Sequence, residues 1–230
     1  MSAHRLILGD PEIELRVRRS PRARRLALRI DPRHDQPELV LPRGVSLEDG
    51  RRFAAGRAQW LRRRLSELPP RVAFAAGSMI PVLGVPHRVR HEPGAPGGVR
   101  RAAGELIVSG PVAEHPRRLE AWLKAEARRL LGARARYAAA RLGRDPPPIG
   151  VRDPATRWGS CSARGRLSFS WRLVMAPEAV LDYVVAHEVA HLEHADHGPR
   201  FWRLVDELCP GWGEARRWLR RHGAALHRHG

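Results

Sequence analysis

The residues best suited to chemistry are His187-Glu188-Val189-Ala190-His191, with His197 six positions further on. On a helix, residues i and i+4 share a face, so His187 and His191 can aim ring nitrogens at one divalent ion. Glu188 stands beside the first imidazole, where its carboxylate can take a proton from water on that ion. Continued straight, the helix carries His194 about 10 Å along its axis from His187, too far for ligands about 2 Å from a shared metal. A third ligand is therefore expected after the chain turns, and His197, beside the helix-breaking pair Gly198-Pro199, can fold back. The chain holds 12 histidines, so a chance cluster has to be weighed. Residues 179–186 are apolar apart from Asp182 and read as a buried helix, where ionisable groups are costly unless paired or bound to metal. That context favours a metal site.

The elements that position this helix follow from periodicity. Residues 13–41 alternate, with Ile13, Leu15 and Val17, then Leu26, Leu28 and Ile30, then Leu39 and Leu41, between turn signals at Ser20-Pro21, Asp31-Pro32 and Pro42-Arg43-Gly44. This predicts a small antiparallel sheet. Ser46, with Asp49 three residues later, reads as the N-cap of one helix running through Phe53, Trp60 and Leu61 to Leu65, ended by Pro69-Pro70. Strand pairs are expected around 79–89 and 99–108, and a long helix over 116–142 with an arginine-rich face, read as solvated. Strands at 149–151 and 167–173 flank the loop Trp158-Gly159-Ser160-Cys161, Pro177 suits the first turn of the metal helix, and helices at 201–208 and 214–226 follow. The expected class is α+β. Residues 1–112 would be a β-rich region with one helix, and residues 113–230 a helical metal-binding core.

Composition narrows the function. Thirty basic and 15 acidic residues lie in 1–150, against 12 and nine in 151–230, so most of the net charge of +18 belongs to the first part. Forty-one of the 42 basic residues are arginine, a usage that a GC-rich genome would also produce. An anionic substrate, or nucleic acid contacted through the basic 1–150 region, is one reading and a solvated surface the other. There is no stretch of 18 apolar residues and no apolar core of a signal peptide near Met1. A cytoplasmic protein without a membrane partner is expected. Cys161 and Cys209 suit a reducing compartment.

The run Thr156-Arg157-Trp158-Gly159-Ser160-Cys161-Ser162, then Leu181-Asp182-Tyr183-Val184-Val185-Ala186-His187-Glu188, His197 and Phe201-Trp202, resembles the YgjP-like metallopeptidase family. The likeness is strongest over 149–222 and looser upstream, through Arg18–Arg24 and the Trp60 helix. The family is similar to the zincins and, more distantly, to SprT-like and Wss-type proteases. By that resemblance one Zn2+ is held by His187, His191 and His197, and Glu188 is the catalytic base. The family's usual asparagine before the third histidine is Asp196 here. Arg157, Trp158, Ser160 and Arg200 are candidates for contact with substrate. Trp158 reads mainly as core, and Gly159 as the residue that permits a tight turn. The 167–173 strand is a candidate edge for an extended peptide. His194, Glu193, His222, His227 and His229 read as solvated.

Three functions remain open at this point. The first is a zinc peptidase. The second is a zinc-dependent nucleoside triphosphate pyrophosphatase, with arginines on the phosphates. The third is a nucleic-acid-binding protein with a structural zinc, which would need a fourth ligand such as Cys161 or Asp196.

Overall fold

The computed structural model describes residues 4–9, 11–94 and 97–230, and the class is α+β. The chain forms two compact units, Met1–Pro70 and Arg71–Gly230. The boundary thus falls at residue 70, not at 112. The reason lies in the second unit's core: Ile80, Val82, Val89, Leu106 and Val108 from the strands at 79–108 pack in one cluster with Leu119, Leu123 and Leu131 of the long helix. Those strands cannot bury their apolar face without it.

In the first unit, β1 (His4–Leu8), β2 (Ile13–Ser20), β3 (Ala27–Asp31) and β4 (Gln36–Pro42) form a sheet in the order β1-β2-β4-β3. It is mixed and not antiparallel, because β2 and β4 run parallel. The hairpin partner β3 takes the outer edge, so β4 returns beside β2 in the same direction. Alternation reports which face is buried and says nothing about strand direction. Ser46 caps α1 (Leu47–Ala55), its hydroxyl accepting from the Asp49 N–H at 3.0 Å. The single expected helix is broken at Gly56-Arg57, where Arg57 leaves helical geometry (φ −121°, ψ 12°) before α2 (Ala58–Ser66). Buried Leu15, Leu39, Leu41, Ala54 and Leu61 form the core between sheet and helices.

Among the described residues, the second unit holds two sheets and four α-helices. Strands β5 (Met79–Val82), β6 (Val85–His91), β7 (Val99–Ala102) and β8 (Glu105–Val108) run in the order β5-β6-β8-β7. Helix α3 (His115–Arg141) buries Leu119, Leu123, Ala127, Leu131 and Ala135 along one side. Its arginine-rich face is largely occupied within the chain. Arg118 pairs with Glu114 and Arg129 with Glu126, Arg134 bridges Glu178 and Asp182, and Arg141 donates to the carbonyls of Glu207 and Leu208.

Strands β9 (Ile149–Arg152), β10 (Gly159–Cys161) and β11 (Leu167–Ser170) form a small sheet in the order β10-β11-β9. The residues expected as a loop therefore make an edge strand. Strand β11, the expected edge, is central, with β9 parallel on one side and β10 antiparallel on the other. A turn of 3-10 helix at Trp171–Met175 leads to Pro177, which caps α4 (Glu178–Ala190) from just outside it. Helices α5 (Pro199–Leu208) and α6 (Trp212–Leu226) complete the unit. Among the described residues no helix is long and apolar enough to cross a membrane.

His227 and His229, expected in solvent, are buried, as is Arg228. The guanidinium of Arg172, also buried, holds this segment: it donates to the carbonyls of Leu226 (3.0 Å) and His229 (2.7 Å) and pairs with Asp153 at 2.8 Å. Burial and the Arg172 charge push the His229 imidazole down to about 4, from an ordinary 6.5. His115, fully buried, is lowered by burial and by the neighbouring His91. Between pH 6.5 and 4 the unfolded chain therefore binds more protons at His229 than the fold does. The contribution of His229 to stability is present above about pH 6.5 and is lost as pH falls toward 4. Urea unfolding should show a lower midpoint at pH 5 than at pH 7.5, with a smaller difference in His229→Gln. An equal loss in the variant would remove His229 from the account.

Candidate metal centre

Helix α4 is apolar on nearly every side, with Val180, Leu181, Val184, Val185, Val189 and Ala190 all buried. It carries His187 and Glu188 in its last turn and ends at Ala190, so His191 is the capping residue, still helical at φ −69° and ψ −11°. The chain then turns. The Asp196 carboxylate accepts from the Gly198 N–H at 2.9 Å, just before Pro199 opens α5. This reversal returns His197 to the helix, with its Nε2 3.2 Å from Nε2 of His187.

One ring nitrogen from each of His187, His191 and His197 lies within 4.8 Å of the others. Two nitrogens about 2 Å from a common tetrahedral ion sit roughly 3.3 Å apart, close to the separation seen between His187 and His197. The Nδ1–H of His191 donates to the His194 carbonyl at 2.9 Å, which leaves its Nε2 as the lone-pair nitrogen. Burial lowers the His187 imidazole to about 4, helped by His191, His197 and Arg216, and so keeps it neutral. Neutral imidazoles are what a metal requires, and the donor set fits a divalent ion. Phe201, fully buried, touches all three rings, with centroid separations of 5.0, 4.5 and 4.7 Å.

Glu188 is buried, only 6% exposed. Burial pushes its carboxyl up to about 7, against the Arg157 charge and a hydrogen bond from the Cys161 N–H. The room it occupies comes from Gly159: a Cβ there would lie 2.5 Å from Glu188 Oε1 and 2.6 Å from its Cγ. Gly159 therefore serves close packing of β10 on α4. The tight turn assigned to it from sequence is made by Gly165, at φ +71°.

The other candidates separate. Arg157 is near enough to Glu188 to act on its charge. Trp158 stacks on His227 at 4.8 Å and packs against Gly223, which makes it a support for β10. Ser160 faces Ser168 in the β10–β11 register. Arg200 lines a shallow hollow with His194, Arg203, Leu204 and Glu207, and no described contact joins it to the triad. Glu193 pairs with Arg144 at 2.6 Å. Sequence reasoning missed Arg216, whose guanidinium lies over the rings of Trp202 and Trp212. Its only signal was helical spacing from Trp212.

Three convergent imidazoles, two from α4 and its cap and one from the turn into α5, together with the buried carboxylate of Glu188, make a candidate metal centre in an α+β unit. The YgjP-like metallopeptidase domain model matches residues 24–222, and the chain belongs to that family. Among solved structures, the metallopeptidase zymogen abylysin of Pyrococcus abyssi is similar at 24% identity, over 40% of this chain and 93% of its own, with a TM-score of 0.36. No curated protein matches the chain.

The triad makes a simple prediction. Added zinc should raise the thermal midpoint of the chain, by about 2.7 kcal/mol of stabilisation at 100 times the dissociation constant. His191→Ala should abolish that shift. A full shift in the variant would place the ion elsewhere.

Proposed function

We propose that this chain is a zinc-dependent peptidase in which His187, His191 and His197 hold the ion and Glu188 is the general base. One observation carries the reading: Glu188, next in sequence to His187, is the buried carboxylate among the described residues, fixed between Gly159 and the Cys161 N–H. A purely structural zinc needs a fourth protein ligand. Among the described residues no fourth His, Cys, Asp or Glu joins the group. The Cys161 thiol is directed at the Ser162 carbonyl, and Asp196 is engaged by Gly198. Both observations support an open site over the nucleic-acid-binding alternative.

A zinc ion held by His187, His191 and His197 would supply Lewis acidity for activating water and for the charge that develops on a carbonyl oxygen. Glu188 receives the proton of the attacking water on a carboxylate oxygen and returns it to the departing amine. Arg157 favours the ionised form of Glu188 against its burial. The β10–β11 register pairs Ser160 with Ser168, and the flanking bonds run from Ser170 N–H to the Trp158 carbonyl and from Ser162 N–H to the Arg166 carbonyl. Backbone groups of Gly159 and Cys161 therefore point away from β11. The Cys161 N–H goes to Glu188, and the Gly159 groups are the ones to which an extended substrate can add. This edge supports a peptide over a nucleotide. The two unpaired cysteines, Cys161 and Cys209, support a reducing, cytoplasmic setting.

Glu188→Gln keeps size and hydrogen bonding but cannot accept the proton. Loaded with zinc, it should cleave unfolded protein substrates at least about 100-fold more slowly than wild type, at unchanged metal content. Cleavage at the wild-type rate would remove Glu188 from the mechanism. Loss of pyrophosphate release from nucleoside triphosphates in the same variant, with no peptide cut by wild type, would reassign the substrate.

A further inference from the structure

Arg216, in the second turn of α6, stands on an aromatic column. Its guanidinium carbon is 5.0 Å from the ring centroid of Trp202 and 5.7 Å from that of Trp212. The two indoles stack at 4.6 Å and 19°, and Tyr183 lies against Trp212 at 6.0 Å and 17°. Trp202 in turn sits 5.7 Å from His187 and 5.8 Å from His197, so the column ends at the triad. Stacking fixes the guanidinium while leaving its five N–H donors in its plane.

No carboxylate among the described residues pairs with Arg216. Its neighbour Arg217 pairs with Glu214, and many arginines elsewhere in the unit are likewise paired. The Arg216 charge is felt at both His187 and Tyr183. A divalent ion on the triad, at the end of the same aromatic column, would add its positive charge to that of Arg216. A half-buried planar fork of donors beside such a field matches a carboxylate in shape and charge.

We propose that Arg216 sets specificity by receiving an acidic side chain of a peptide substrate. The assignment of a peptide rests on the reading given under Proposed function. The carboxylate would lie on the Trp202–Trp212 side of the triad, opposite in kind to the backbone groups that Gly159 offers.

Matched peptides differing only by Glu or Gln, scanned across the positions flanking the scissile bond, test this with the zinc-loaded full chain. Wild type should favour the Glu peptide by about tenfold in kcat/KM at one position, the effect of one charge-assisted contact. Arg216→Lys, which keeps the charge but loses the planar fork, should retain only part of that ratio, and Arg216→Met should bring it to about one. A ratio near one in wild type, or a ratio that survives Arg216→Met, overturns the proposal. Should Arg216→Met fail to fold, the wild-type ratio must still fall with rising salt, and a salt-independent ratio overturns it.

Fluorescence anisotropy of the same labelled peptides on the Glu188→Ala protein measures binding without turnover. Discrimination there, with no peptide cut by wild type, keeps the carboxylate site and removes the peptidase reading. Displacement of the Glu peptide by a nucleoside triphosphate bound about 100-fold more tightly makes phosphate the ligand and overturns the acidic-peptide assignment.

Discussion

The interaction on which this unit depends is the burial of Glu188 on α4, a helix whose other buried residues are almost all apolar. A carboxylate in such surroundings is costly unless something nearby favours its charge. The chain supplies a backbone N–H from Cys161, a positive charge from Arg157 and three imidazoles placed to hold a cation. Each contribution comes from a different element: strand β10, the segment before it, helix α4 and the turn into α5. The site therefore exists only when the small sheet and the helices are packed together, and no single segment carries it.

Positioning of β10 is itself a consequence of the packing of residues 226–230. Trp158, immediately before the strand, is held between His227 and Gly223. The same segment is tied down by Arg172, whose guanidinium reaches two of its carbonyls, and by hydrogen bonds between Val72 and the backbone of Arg228 and Gly230. The buried charge of Arg172 is matched by Asp153. Parts of the chain distant in sequence thus converge on the edge strand that lies over Glu188. Changes at Arg172 or His227 should act on the site through Trp158 and not through any contact with substrate.

Much of this was legible in the chain itself. The i, i+4 spacing and the helix break at Gly198-Pro199 locate the three histidines, because helix geometry leaves few ways to gather them. The Ser46 cap and the apolar face of α3 are local and were readable for that reason. Other features were not. The parallel β2–β4 pairing and the 70/71 boundary depend on which elements share a core, which alternation does not encode. Gly159 is a space-saving residue only because Glu188 lies across from it, a relation set by tertiary packing. The terminal histidines looked polar and exposed, yet Arg172, more than 50 residues away, draws the backbone beside them inward. Arg216 has no signal beyond its helical spacing from Trp212, and only the stacking of Trp202 on Trp212 shows that its guanidinium stands over rings that reach the triad.

The central claim is that Glu188 works where Gly159 and Cys161 hold it. Gly159→Ala tests this directly, since the added methyl group requires the carboxylate to move while leaving every histidine untouched. Peptide cleavage and zinc content should be measured together on the folded variant. The account predicts full zinc binding with cleavage reduced about 100-fold or more, the scale of a lost general base. Cleavage within twofold of wild type, at equal zinc content, would contradict it.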